Sequence, residues 1–338
     1  MASSTPLDLS TARVLVTGGA GFIGSALVWA LNRLGNSRIV IADFLGQDEK
    51  WRNLVPLGFE EYLEADELID SLESGALGRF DLVLHMGACS STTERDAAYL
   101  VRNNYEFTRD LCSIALDDGS RFVYASSAAT YGDGSQGMDD DPDQLDRLRP
   151  LNMYGYSKHL FDLWARREGV LDEITGLKFF NVFGPNEYHK GDMRSVVHKA
   201  FGQVVAEGRV RLFRSHRPDY RDGEQQRDFI YVKDAVAMTL HLAAGRHTGL
   251  YNIGSGRAST WLELVTPVFE ALDRPVKIDF VDMPLEIRDK YQYHTEADIT
   301  RLRTTGYTGP HTPLAEAVRD YAGSYLIPGT GLGDERQG

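Results

Sequence analysis

Short apolar runs alternate along the chain with longer stretches whose apolar residues recur at helical spacing. Arg13-Val-Leu-Val-Thr17, the run 38–42, Asp81-Leu-Val-Leu-His85 and Arg121-Phe-Val-Tyr-Ala125 are apolar almost throughout instead of alternating with polar residues. Such runs predict strands buried on both faces, as in a parallel sheet. Helical spacing predicts helices over 25–34, 97–116, 154–168 and 234–244, and further apolar runs predict strands over 176–182 and 249–253. Strands alternating with helices imply an α/β fold: a doubly wound parallel sheet of seven strands with helices on both faces. Residues 133–150, rich in Asp, Gly and Pro, read as a surface loop. After Gly184-Pro185 the apolar runs shorten, and basic and aromatic residues gather between His189 and Arg227. The division expected is a first domain over 1–182, completed by 228–256, and a smaller C-terminal substrate-binding domain from 183–227 and 257–328. The Gly-rich, charged tail 329–338 is expected to be disordered.

Composition narrows the partners. The 338 residues include 42% hydrophobic residues, enough for a large core, and carry a net charge of -13. That charge repels nucleic acid phosphates and anionic membranes, so neither is an expected partner. The two cysteines, Cys89 and Cys112, make neither a disulfide framework nor a metal site, and imply a reducing, cytoplasmic setting. Met1 to Ala12 has no basic region followed by an apolar run, and no apolar stretch reaches about 18 residues, so neither a signal peptide nor a membrane span is expected.

Chemistry enters at Thr17-Gly-Gly-Ala-Gly-Phe-Ile-Gly24, between the first strand and the first helix. Gly18, Gly21 and Gly24 permit a tight turn, close approach to a pyrophosphate, and close packing of helix on strand. The phosphates then meet free N–H groups at a helix N-terminus. This is the fingerprint of a Rossmann-type dinucleotide site. Asp43, 19 positions after Gly24, ends the second strand, where an acid binds the adenosine ribose hydroxyls. Asp43 alone favours NAD; Lys50 and Arg52, a few residues on, could neutralise the 2′-phosphate of NADP.

A second constellation is Tyr154-Gly-Tyr-Ser-Lys158. Four residues apart on a helix, Tyr154 and Lys158 share a face. The ammonium favours the phenolate, so Tyr154 can exchange a proton with a substrate hydroxyl, and Lys158 can also bind the nicotinamide ribose. Ser126 and Ser127 close a strand at the edge where ligands gather in open α/β sheets; Ser127 is taken as the donor to the reacting oxygen.

These motifs, with Asn104-x-x-x-Thr108, resemble the extended short-chain dehydrogenase/reductases. Gly87-Ala-Cys-Ser-Ser-Thr-Thr-Glu94, Ala125-Ser-Ser-Ala-Ala-Thr-Tyr-Gly132, Pro150-Leu-Asn-Met-Tyr-Gly-Tyr-Ser-Lys158, Phe180-Asn-Val-Phe-Gly-Pro185 and His189-Lys-Gly191 are similar to the ADP-L-glycero-D-manno-heptose 6-epimerase family, over about Arg13 to Leu326. The resemblance implies NADP-dependent oxidation at C6 of an ADP-linked heptose and return of hydride to the other face, a step of lipopolysaccharide core synthesis. It makes Tyr154 and Lys190 the proton-transfer groups. It assigns cofactor contacts to Phe22, Ile23, Asp43, Phe44, Lys50, Met86, Gly87, Ala88, Cys89, Ser90, Asn103, Lys158 and Val182. Substrate contacts fall on Ser127, Asn181, Asp192, Phe213, Arg227 and Tyr291. It also implies a homo-oligomer, a pentamer by that resemblance.

The chain differs from the family pattern in places. Phe44 stands for Asn, Met86 for Glu and Asp192 for Ser. A second lysine near Glu64 is missing, and the stretch Arg217 to Gln226 is longer. Three other functions share part of this pattern. A UDP-hexose 4-epimerase would use the same tyrosine without needing Lys190. A sugar 4,6-dehydratase would need acids where Ala128 and Ala129 stand. A non-catalytic cofactor-sensing regulator would tend to lose the Tyr/Lys pair.

Overall fold

The computed structural model describes residues 6–288 and 291–334. Its first six strands are β1 (Val14–Thr17), β2 (Ile39–Asp43), β3 (Glu61–Glu64), β4 (Leu82–His85), β5 (Arg121–Ser127) and β6 (Thr175–Phe179). Then come β7 (Asn181–Phe183), β8 (Val210–Phe213), β9 (Gln226–Tyr231), β10 (Gly249–Ile253), β11 (Ala258–Thr260) and β12 (Ile278–Val281). Seven of them form one parallel sheet in the order β10-β6-β5-β4-β1-β2-β3. The strand order reverses between β1 and β4. There the loops leaving the strand C-termini diverge and open a crevice.

Why the strands are apolar throughout is visible in their packing. Val14, Val16, Ile39, Ile41, Leu82 and Leu84 face one core; Leu15, Val40, Ala42 and Val83, from the same strands, face the other. Helices Phe22–Arg33 and Val232–Ala244 pack together over the first face. The helical stretch from Ala97 to Asp117 and the helix Met153–Arg167 cover the second. The first of these two contains a π-turn, Arg102–Glu106, that carries the fully buried Asn104. Over the strand C-termini lie the small sheet β11-β9-β7 and the pair β12-β8.

Two expectations are corrected. The strand expected over 176–182 is two strands in different sheets. Phe180 pairs its N–H with the Ile253 carbonyl, and the chain then leaves the main sheet to run beside β9. The tail is not wholly disordered: Leu332 is buried, its N–H bonded to the Asn186 side chain, and the Thr330 carbonyl accepts from Tyr188. Residues 335–338 of that expectation lie outside the described residues. No helix among the described residues is long and apolar enough to cross a membrane.

Candidate active site

The glycine turn lies at the β1/β4 divergence. Gly18 has φ 66°, and a Cβ there would stand 2.7 Å from the Gly87 Cα, so the two loops cross this closely only with a glycine at position 18. At Gly24 a Cβ would stand 2.1 Å from the Gly18 carbonyl oxygen, which seats the helix on the turn. The helix Phe22–Arg33 has no side-chain cap and no acid in its first turn. Its free N–H groups open into a cleft of about 430 Å³. An uncapped helix start facing a cleft fits the pyrophosphate of a dinucleotide.

The cleft gathers most of the residues expected at the cofactor. Gly18, Gly21, Phe22, Ile23, Gly24, Asp43 and Lys50 line one wall. Met86, Gly87, Ala88, Cys89, Ser90 and Lys158 line another, together with Tyr154 and Lys190. Val182 lines the adjoining cleft. Phe44 and Asn103 line neither: Phe44 is half exposed, and the Asn103 amide donates to Asn104. The Asp43 carboxylate accepts from the Ala20 and Gly21 N–H groups at 2.9 and 3.2 Å and from Lys50 Nζ at 2.9 Å. It braces the turn as well as ending β2.

Tyr154 and Lys158 stand on the first turns of helix Met153–Arg167, capped by the Asn152 side chain. Burial pushes the Tyr154 phenol up from its ordinary value, and a hydrogen bond with Ser127 pulls the other way. The lowering expected from Lys158 comes instead from Ser127, and desolvation of the phenol outweighs it. Lys158 is itself buried and pushed down to about 8, with Asp162 one turn on opposing the change. Lys190, on the 3-10 stretch Tyr188–Met193, lies 5.1 Å from the Phe22 ring centre, its proton affinity lowered by burial.

The expected substrate residues scatter more. Ser127 and Asn181 meet Tyr154 in a cleft of about 860 Å³, with Tyr291 at its rim. Arg227 is buried on β9, its guanidinium 5.0 Å from the Tyr291 ring and 5.8 Å from Trp261. No described carboxylate forms an ion pair with it. A buried cation of this kind calls for an anion. Asp192 is exposed, and its carbonyl receives the Lys199 ammonium. Phe213 ends β8, where its carbonyl accepts from Gln225.

The sequence reading missed residues that hold the site from behind. The Asn104 amide bonds to the Cys89 N–H, the Cys89 carbonyl and the Ser157 hydroxyl, tying the loop after β4 to the helix Met153–Arg167. His85 ends β4 fully buried. Thr108 donates to the Asn104 carbonyl, so it accepts from His85 Nε2; Thr17 donates to Nδ1 and accepts from the Gly87 N–H. That arrangement fixes one neutral tautomer, and burial pushes the imidazole down to about 3. Arg194 lines the Lys190 cleft with its buried Nε unpartnered. The Asn104-x-x-x-Thr108 spacing was the only signal of this layer in the sequence.

A dinucleotide crevice at the sheet's switch point, faced by a Tyr/Lys pair and a closing serine, defines a nicotinamide-dependent enzyme of the short-chain dehydrogenase/reductase class. Within it, the chain belongs to the NAD dependent epimerase/dehydratase family, which matches residues 14–254. An ADP-L-glycero-D-manno-heptose-6-epimerase of Nitratidesulfovibrio vulgaris (strain DP4) is 54% identical over 314 residues, 92% of this chain and 97% of that one. The crystal structure of the Helicobacter pylori ADP-L-glycero-D-manno-heptose-6-epimerase superposes with a TM-score of 0.76 at 27% identity, covering 93% of this chain and 96% of that one. MoeE5 in complex with UDP-glucose and NAD superposes at 0.70 with 26% identity, covering 92% and 97%.

Proposed function

We propose that this chain converts ADP-D-glycero-β-D-manno-heptose to ADP-L-glycero-β-D-manno-heptose by transient oxidation at C6, as part of lipopolysaccharide core synthesis in the cytoplasm. One observation carries the reading. Tyr154 and Lys190 line the same two adjoining clefts, Tyr154 from the β5 side and Lys190 from the glycine-turn side. Inversion at a carbinol carbon needs a proton held or released on each face, and two separated groups supply that.

The bound nicotinamide group supplies reversible hydride transfer, with no net redox change. This chain's residues do the rest. Tyr154 Oη and Lys190 Nζ each take or return the proton of the C6 hydroxyl when that hydroxyl lies on their side. Ser127, bonded to Tyr154, holds the same oxygen. Lys158 orients the nicotinamide ribose. Arg227, with no ion-pair partner among the described carboxylates, grips the diphosphate of the substrate.

The resemblance implies NADP, with NAD as the alternative. Lys50 gives one of its three donors to Asp43 and has others for a 2′-phosphate, so the Asp43–Lys50 pair is where the two dinucleotides would be told apart. Dissociation constants for both dinucleotides, with and without Lys50→Ala, decide it. Weakening of NADP about tenfold with NAD unchanged supports NADP; equal binding in both proteins supports NAD. The homo-oligomer expected from the resemblance, a pentamer, is read from the mass in solution by light scattering.

The central test follows the C6 configuration by NMR as the purified protein acts on ADP-D-glycero-β-D-manno-heptose, beside Lys190→Ala. Conversion that the substitution slows about 10²-fold or more supports substrate and second proton-transfer group together. Absence of conversion by the intact protein turns the reading to the UDP-hexose 4-epimerases, for which UDP-galactose is the substrate to try.

A further inference from the structure

Lys190 lies on a segment without a strand or long helix of its own. Residues 184–195 include one 3-10 stretch, Tyr188–Met193, broken where Gly191 takes φ 51°. A single carboxylate ties this segment together. Glu187 is fully buried. Its Oε1 accepts from the Ser195 hydroxyl at 2.6 Å, and its Oε2 accepts from the Ser195 N–H. The Gly184 N–H points at Oε1 from 3.5 Å, and the Glu187 carbonyl accepts from the Lys190 N–H at 3.1 Å. One residue therefore joins the start of the segment, its reactive lysine and its end.

Charge adds a second argument. Glu187 and Lys190 act on each other through space without a direct ion pair, and Glu187 is the anion that holds the proton on Lys190 against burial. Besides Glu187, the charged and titratable groups that share the clefts with Lys190 include its neighbour His189, Arg194, the Asp43–Lys50 pair, Lys158 and Tyr154. Tyr321, on the stretch packed behind the segment, turns its buried hydroxyl toward Glu187.

We propose that Glu187 is a positioning residue for Lys190, pinning the segment at both ends and supplying the counter-charge to the ammonium. This rests on Lys190 being the second proton-transfer group. A buried carboxylate used only for folding would leave the titration of Lys190 where it is. One whose charge acts on the ammonium through space must move it: without the negative charge, the neutral amine forms at lower pH.

Glu187→Gln keeps the size of the side chain and removes the charge. The full-length protein with bound dinucleotide is acylated with acetic anhydride over a range of pH, and modification of Lys190 and of the exposed Lys199 is read by peptide mass spectrometry. The midpoint for Lys190 moves to lower pH in Glu187→Gln while that of Lys199 stays; kcat falls about tenfold or more and KM changes little. A Lys190 midpoint that does not move, in a variant that still binds dinucleotide, overturns the proposal. Ser195→Ala tests the tether without touching the charge: kcat falls and the midpoint stays. Unchanged kcat in Ser195→Ala removes the pinning role, whether or not Glu187→Gln folds. Full activity of Lys190→Ala would instead sink the functional reading, and the acylation midpoint would still report on Glu187.

Discussion

At the scale of single residues the site is built from contacts that tolerate little. Gly24→Ala puts a methyl into the Gly18 carbonyl oxygen, so the turn and helix must separate. The expected cost is about 1–3 kcal/mol of stability, and dinucleotide should no longer copurify. Both are measurable, by urea unfolding and by the ultraviolet spectrum of the purified protein. Tyr154→Phe keeps the ring and removes the proton. Epimerisation should drop about 10²–10⁴-fold with dinucleotide binding intact; a variant within a few-fold of the parent would remove Tyr154 from proton transfer. Asn104 and His85 illustrate a different residue-scale fact. Neither offers chemistry to a substrate, yet both fix where the loops cross, through Cys89 and Thr17, which lie 15 and 68 positions away in sequence.

At the scale of elements, one buried pair locks three of them together. Asp162 on helix Met153–Arg167 accepts from Tyr124 and Ser126 of β5 at 2.8 Å each and from Lys178 of β6 at 2.8 Å. Both charges are almost wholly buried. Lys178 also donates to Thr130, just past β5. The pair thereby sets the helix that carries Tyr154 against the strand that ends in Ser127. Removing one partner leaves the other charge buried and alone. Asp162→Asn should therefore cost about 3–5 kcal/mol of unfolding free energy. The double change Asp162→Leu with Lys178→Met should cost less than Asp162→Asn, because no charge is left stranded. Urea titrations of both variants check the order; a larger loss in the double variant would mean the pair itself is net stabilising.

At the scale of the whole molecule, buried histidines make the fold acid-sensitive. His85 is held at about 3 and His189 and His198 at about 4, all by desolvation. Between those values and about 6.5 the unfolded chain binds protons that the folded chain refuses. Stability is therefore expected to fall as pH drops from about 6.5 toward 4. Asp140, raised to about 6 by burial, works in the opposite direction: its contribution is lost as pH rises through that value. Glu187 and Asp228 are raised by burial in the same way, and His159 and His247 are lowered like the other histidines. With five histidines against three carboxyls, the net slope is a loss on acidification. Urea midpoints at pH 7 and pH 5 check the sign, and a higher midpoint at pH 5 would contradict it.

The sequence by itself determined the doubly wound sheet, because a strand buried on both faces must be apolar at every position, and that pattern is local. It also determined the glycine turn and the Tyr154/Lys158 pair, since both are fixed by spacing within one turn or one helix. The division of 176–182 into two strands was not local: it depends on Phe180 meeting Ile253 and on β9 standing beside β7. Nor could spacing reveal that Asp43 braces the turn, that Arg227 lacks a described carboxylate partner, or that Glu187 joins Gly184 to Ser195. Each depends on which polar groups remain unpaired once distant segments pack, and only the tertiary structure decides that.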